Sequence, residues 1–190
     1  MNTDLRHELI PRDKALRLIG ELAAIKDKAH SAAQQRELLD ETGHIPAAPS
    51  YTALLQHAID AQDLSREVLR LTADFARSPY HNTPVGSTVV KHLGTAATMS
   101  SRAAPHFAET AEHALALPRS ARPSDRHYLA NRMVIDHASA RAFLRRTSES
   151  LRDAAKELDD HLGLQRFLAT LTRPEGPPTP PQPEPGGRHL

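Results

Sequence analysis

Apolar side chains recur at alternating intervals of three and four along four stretches of this chain, the pattern of helices that bury one face. In the first stretch the inward positions are Ala15, Leu18, Leu22, Ile25, Ala29, Ala32, Arg36 and Leu39, with Arg36 the one break. The second reads Tyr51, Leu54, Ala58, Ala61, Ser65, Val68, Thr72 and Phe75, and the third Val89, Leu93, Ala96, Ser100, Ala103, Phe107 and Ala114. The fourth reads Ala130, Met133, His137, Ala140, Leu144, Thr147, Leu151, Ala154 and Leu158. A period near 3.5 sustained over several heptads predicts long helices packed at small crossing angles.

Prolines cut the pattern into segments, because proline lacks an N–H and clashes with the preceding helical turn. The clusters "GHIPAAPS", "SPYHNTP" and "LPRSARPS" supply Gly43 as a helix stop and Ser50, Thr83 and Ser124 as N-caps. Helices are predicted over 11–42, 51–78, 84–117 and 124–162. Short connections make sequential helices antiparallel, so the expected fold is all-α, an up-down four-helix bundle. Pro105 lies inside the third segment without breaking its phase, which predicts one kinked helix. After Gly163 the phase shifts, and Leu164, Phe167, Leu168 and Leu171 predict a short separate helix folding back over the bundle end. Residues 173–190, "RPEGPPTPPQPEPGGRHL", are too proline-rich to pack and read as a disordered tail. The expected organisation is a lead segment over 1–10, a bundle over 11–172 and the tail over 173–190.

Composition narrows the function without naming it. A chain of 190 residues supports one core. With 24 basic and 23 acidic residues, no overall field selects nucleic acid, membrane or an acidic substrate. Cysteine is absent, which removes disulfides, thiolate nucleophiles and Cys-ligated zinc. The charged N-terminus "MNTDLRHELIPRDK" does not read as a signal peptide, and no stretch is apolar enough to span a membrane. The expected location is the cytoplasm, with no membrane partner.

The chemistry on offer centres on "MVIDHASA", which sets Asp136 and His137 on the inward stripe of the fourth helix. Asp136 lies about twelve residues, roughly 18 Å, from that helix's start. In an antiparallel bundle the same depth reaches Ser65, Pro105 and Arg36, making a small polar layer. A buried charge must be paired, so Arg36 is the expected counter-ion of Asp136. Two readings follow: a ligand pocket or pH-responsive site around His137, and a register device that aligns the helices. The register device is favoured.

Twelve histidines invite a metal argument, yet no two stand at i, i+3 or i, i+4. In "HFAETAEH", His106, Glu109 and His113 share one face, but that face is expected opposite the stripe of Phe107, Ala111 and Ala114, in solvent. No metal and no cofactor are expected. Catalytic signatures are missing too: there is no G-x-S-x-G elbow and no glycine-rich phosphate loop. A basic run through Arg119, Arg122, Arg126, Arg132, Arg141 and Arg145, continued by Arg146 and Arg152, resembles a phosphate-binding stripe but lacks interleaved aromatics. The P-x-x-P spacing in the tail reads as linker.

The expected function is therefore a non-enzymatic helical bundle that associates with a protein partner or a second copy of itself. Leu5, Leu9, Ile10, Ile59 and the segment from Leu164 to Leu171 are the apolar groups left over for an interface. A binding module at the Pro105 layer is the alternative, and nucleic-acid association through the basic stripe the third reading.

Overall fold

The computed structural model describes residues 9–34, 38, 44–46 and 48–171, and over them the chain is helical, with no strand among the described residues. Four helices pack together: α1 (Arg12–Ala33), α2 (Tyr51–Ala76), α3 (Pro84–Ala116) and α4 (Pro123–Leu171), with a 3-10 turn at Leu117–Arg119 between the last two. The helix starts follow from local chemistry. Ser50 accepts a hydrogen bond from the Ala53 N–H, and Thr83 accepts one from the Gly86 N–H with Pro84 in the first turn. Each satisfies a donor that the helix itself leaves open.

Most of the inward positions are buried in all four helices; Tyr51 is exposed and Ala32, Thr72 and Ala130 are half-buried. Leu22, Val68, Val89, Leu93, Leu144, Leu151 and Leu158 are closed from solvent. Arrangement follows from which pairs touch: α4 packs on α3 and α1, α3 also packs on α2, and α1 and α2 meet only lightly. Along that light seam Lys28 bridges to Glu67 at 2.7 Å, and Lys14 lies over the Tyr80 ring.

Three expectations are corrected. The first helix ends at Ala33, with Gln34 and Leu38 in turns, instead of running to 42. There the Arg141 guanidinium of α4 donates to the Ala33 carbonyl at 2.8 Å, satisfying an acceptor the helix end exposes. Leu38 is then buried with Leu54, Ala114, Leu117 and Met133 in a second apolar cluster at that end of the bundle.

The fourth helix continues straight through Gly163 to Leu171, so no separate helix folds back. A Cβ at Gly163 would meet nothing, and one glycine in a helix interior costs only about 1 kcal/mol against alanine. Ile10, expected as a leftover surface group, is instead buried at 2 % exposure. Its N–H donates to His161 Nε2 at 3.2 Å and its carbonyl accepts from Gln165 at 2.9 Å, which ties the chain before α1 to the far part of α4. Leu5, Arg36, Leu39, Gly43 and the tail over 173–190 lie outside the described residues.

Pro105 is accommodated inside a continuous α3, as expected for one helix. Gly86 is the glycine that close approach demands, because a Cβ there would overlap the Tyr80 carbonyl oxygen. Gly86→Ala is expected to lower stability by about 2–3 kcal/mol through that backbone clash. Gly94→Ala, where a Cβ meets nothing, should be neutral or raise stability by up to about 1 kcal/mol. Thermal denaturation of the two variants checks both.

Candidate functional site

The bundle interior is not continuous. One apolar cluster runs from Ile10 to Phe107 and Ala140, and the second gathers Leu54, Ala111, Ala114 and Met133. Between them α4 inserts Asp136 and His137, at 2 % and 4 % exposure, and α2 inserts His57 at 5 %. A polar layer therefore interrupts the core, as the spacing of Asp136 and His137 implied.

The layer has two halves. On the side facing α2, the rings of His57, Phe107 and His137 form a trio, with Phe107 edge-on to both histidines at 5.6 and 5.5 Å between centroids. Edge-to-face packing of this kind links α2, α3 and α4 through one contact set.

On the other side Asp136 faces α3. Its Oδ1 lies 3.4 Å from His106 Nδ1, and its Oδ2 lies 3.5 Å from His113 Nε2. One turn back on α4, Arg132 reaches Oδ1 at 3.5 Å. His106 Nδ1 is also 3.4 Å from Glu109 Oε2, one turn along α3. These separations are long for charge-assisted hydrogen bonds, which run at about 2.7–2.9 Å. Asp136 Oδ2 and His106 Nδ1 are buried and make no hydrogen bond. The His106 ring is held in orientation by Phe143 of α4, stacked on it at 5.6 Å and 16°. Thr110, fully buried below, returns its hydroxyl to the His106 carbonyl at 2.8 Å.

His106, Glu109 and Asp136 present donor atoms within 4.8 Å of one another, a set able to hold a cation. This corrects the expectation of a solvent-facing surface for His106 and His113, while Glu109 is exposed as expected. His106 and His113 are half-buried against α4. The reason is that α3 packs on two neighbours, so its inward surface is wider than a single heptad stripe.

The other expected site residues are distributed differently. Ser65 is buried, but eight residues, about 12 Å, along α2 from His57, which takes the place expected for it beside His137. Pro105 faces outward and, with Ala104 and Ala108, borders an open groove of about 360 Å³ against Ala58, Ile59, Gln62 and Arg66. That groove lies between α2 and α3, whereas Asp136 meets α3 from the α4 side. Arg36, the expected counter-ion, is among the residues not described; Arg132, His106 and His113 are the groups found at the carboxylate.

The basic run divides. Arg132 contacts Asp136, and Arg141 holds the end of α1. Arg119, Arg122, Arg126 and Arg145 are exposed. Arg126 and Arg145 stand roughly 28 Å apart along α4 and about a quarter turn around it, so these groups do not form one compact face. Sequence reasoning missed His57 altogether. The available signal was its place beside Ala58 on the inward side of α2, one turn after Leu54.

Comparison of the chain with protein-family models, with curated proteins and with solved structures finds no match in any of the three. The site therefore has to be read from its own chemistry. If Arg141 serves α1 as its geometry indicates, Arg141→Ala should cost about 1 kcal/mol. The loss should speed amide exchange in the last turn of α1 and leave α2 unchanged, which hydrogen-exchange mass spectrometry resolves.

Proposed function

We propose that this protein is a non-enzymatic binding module whose working site is the carboxylate–imidazole cluster between α3 and α4. One observation carries the reading: Asp136, almost wholly buried, is surrounded at 3.4–3.5 Å by His106, His113 and Arg132 without a short hydrogen bond to any of them. A group built only for stability would close on its partners, since a buried ion pair recovers its desolvation cost only with good geometry. A loosely held buried carboxylate beside two imidazoles is instead suited to receive a small cationic or hydrogen-bonding ligand.

The finer architecture belongs to the same reading: antiparallel neighbours in an up-down bundle, with coiled-coil-like heptads. It is supported by the pairing of Lys28 with Glu67 across α1 and α2, by that of Lys14 with Tyr80 just past the end of α2, and by those of His113 with Asp136 and His106 with Phe143 across α3 and α4. In each, residue numbers fall on one helix as they rise on the other. A cytoplasmic location is retained with this reading; no helix among the described residues is long and apolar enough to cross a membrane.

A second reading, self-association, rests on a different observation. Leu164 and Phe167 are 54 % and 59 % exposed where α4 runs past the bundle, flanked by Asp159 and Arg166. Acid and base on one helix end suit a second copy crossing in the opposite sense.

Asp136→Asn decides the first reading. Stability is expected to stay within about 1 kcal/mol of the parent, a shift of no more than roughly 4 °C in Tm. A loss of about 3 kcal/mol or more would assign the carboxylate to holding the helices together. For the second reading, light scattering of the parent should detect a dimer that Phe167→Glu abolishes; a parent that stays monomeric at high concentration removes it.

A further inference from the structure

We propose that His106, Glu109 and Asp136 form a binding site for one divalent first-row transition-metal ion of the zinc, cobalt or nickel class, fastening α3 to α4. The proposal rests on the cluster being a ligand site and names its ligand.

Distances point first. Two donors each about 2.05 Å from a tetrahedral ion stand about 3.3–3.4 Å apart. His106 Nδ1 lies 3.4 Å from Glu109 Oε2 and 3.4 Å from Asp136 Oδ1, and the donor atoms of the three residues all lie within 4.8 Å of one another. Spacings too long for strong hydrogen bonds thus match the edges of a tetrahedral coordination shell. The buried atoms without a hydrogen bond, Asp136 Oδ2 and His106 Nδ1, belong to two of these donors.

Donor chemistry selects the ion. An imidazole nitrogen with two carboxylates, leaving a fourth position for water, suits zinc, cobalt and nickel, whereas calcium and magnesium take shells of oxygen. The scaffold favours loading as well. His106 is oriented by the Phe143 ring, and Asp136 is fixed by burial, while Glu109, 47 % exposed, is free to swing onto an ion from the solvent side. His106 and Glu109 stand at i and i+3 on α3, so both lie on one face. Arg132, 40 % exposed, contacts the same carboxylate and can retreat to water when a divalent ion replaces it. The two carboxylates and the one guanidinium leave a net negative charge, which the ion compensates.

The full chain, stripped of metal with a chelator, is titrated with Zn2+ by calorimetry and with Co2+ by visible absorption. The expected result is one ion per chain with micromolar or tighter affinity, and with cobalt the strong absorption of a tetrahedral site. His106→Asn, Asp136→Asn and Glu109→Gln should each weaken binding at least about tenfold. His127→Asn, on the exposed first turns of α4, should bind as the parent does. Glu109→Gln alters a rim residue and keeps the test decisive if a buried variant does not fold. Absence of one-to-one uptake overturns the proposal, as does any folded variant of the three binding like the parent, which would put the ion on other histidines. A parent that takes no metal while Asp136→Asn keeps its stability removes the ion alone and leaves the cluster to a different ligand. A large stability loss in Asp136→Asn removes the reading beneath it.

Discussion

A carboxylate removed from water must be compensated where it lies, and the placement of Asp136 governs much of what surrounds it. At 2 % exposure it has three candidate partners, two imidazoles from α3 and one guanidinium from its own helix. Apolar packing alone would let α3 and α4 slide by a heptad at modest cost. Bringing both His106 and His113 opposite one buried charge favours this alignment, because a slip of a heptad keeps only one of the two imidazoles there. The cluster therefore ties α3 to α4 at one level, through contacts that are long for charge-assisted hydrogen bonds.

Interruption of the core follows from the same insertion. Two apolar clusters lie on either side of the layer, the larger built on alanine and leucine and the smaller closed by Leu38, Met133 and Leu117. The ring trio of His57, Phe107 and His137 joins them across three helices. Histidine suits this place: it packs like an aromatic ring and still offers a nitrogen to a polar neighbour. The long reach of α4 has a related origin. Ile10, His161 and Gln165 hold the chain before α1 against it, so the helix has a packing partner well beyond the end of the polar layer.

Legibility differed between the fold and the site for physical reasons. Helix identity, the inward stripes and the caps at Ser50 and Thr83 were readable because they depend on period and on neighbours a few residues away. Burial of Asp136 and His137 was readable for the same reason, since both fall on or beside a stripe. The end of α1 was not, because Arg141, more than a hundred residues later, caps it. Nor was the passage of α4 through Gly163, where tertiary contacts to Ile10 and the modest cost of one glycine outweighed a shift of phase.

Local periodicity by itself determined that this chain makes four amphipathic helices and that a charge and an imidazole enter the core of the last. Tertiary structure alone decided what meets them. Whether His106 and His113 face water or Asp136 depends on α3 having a second neighbour, and on the rotation that α3 adopts between α2 and α4. No pattern along one helix encodes that rotation, because it is set by the shapes of two opposing surfaces packed at once.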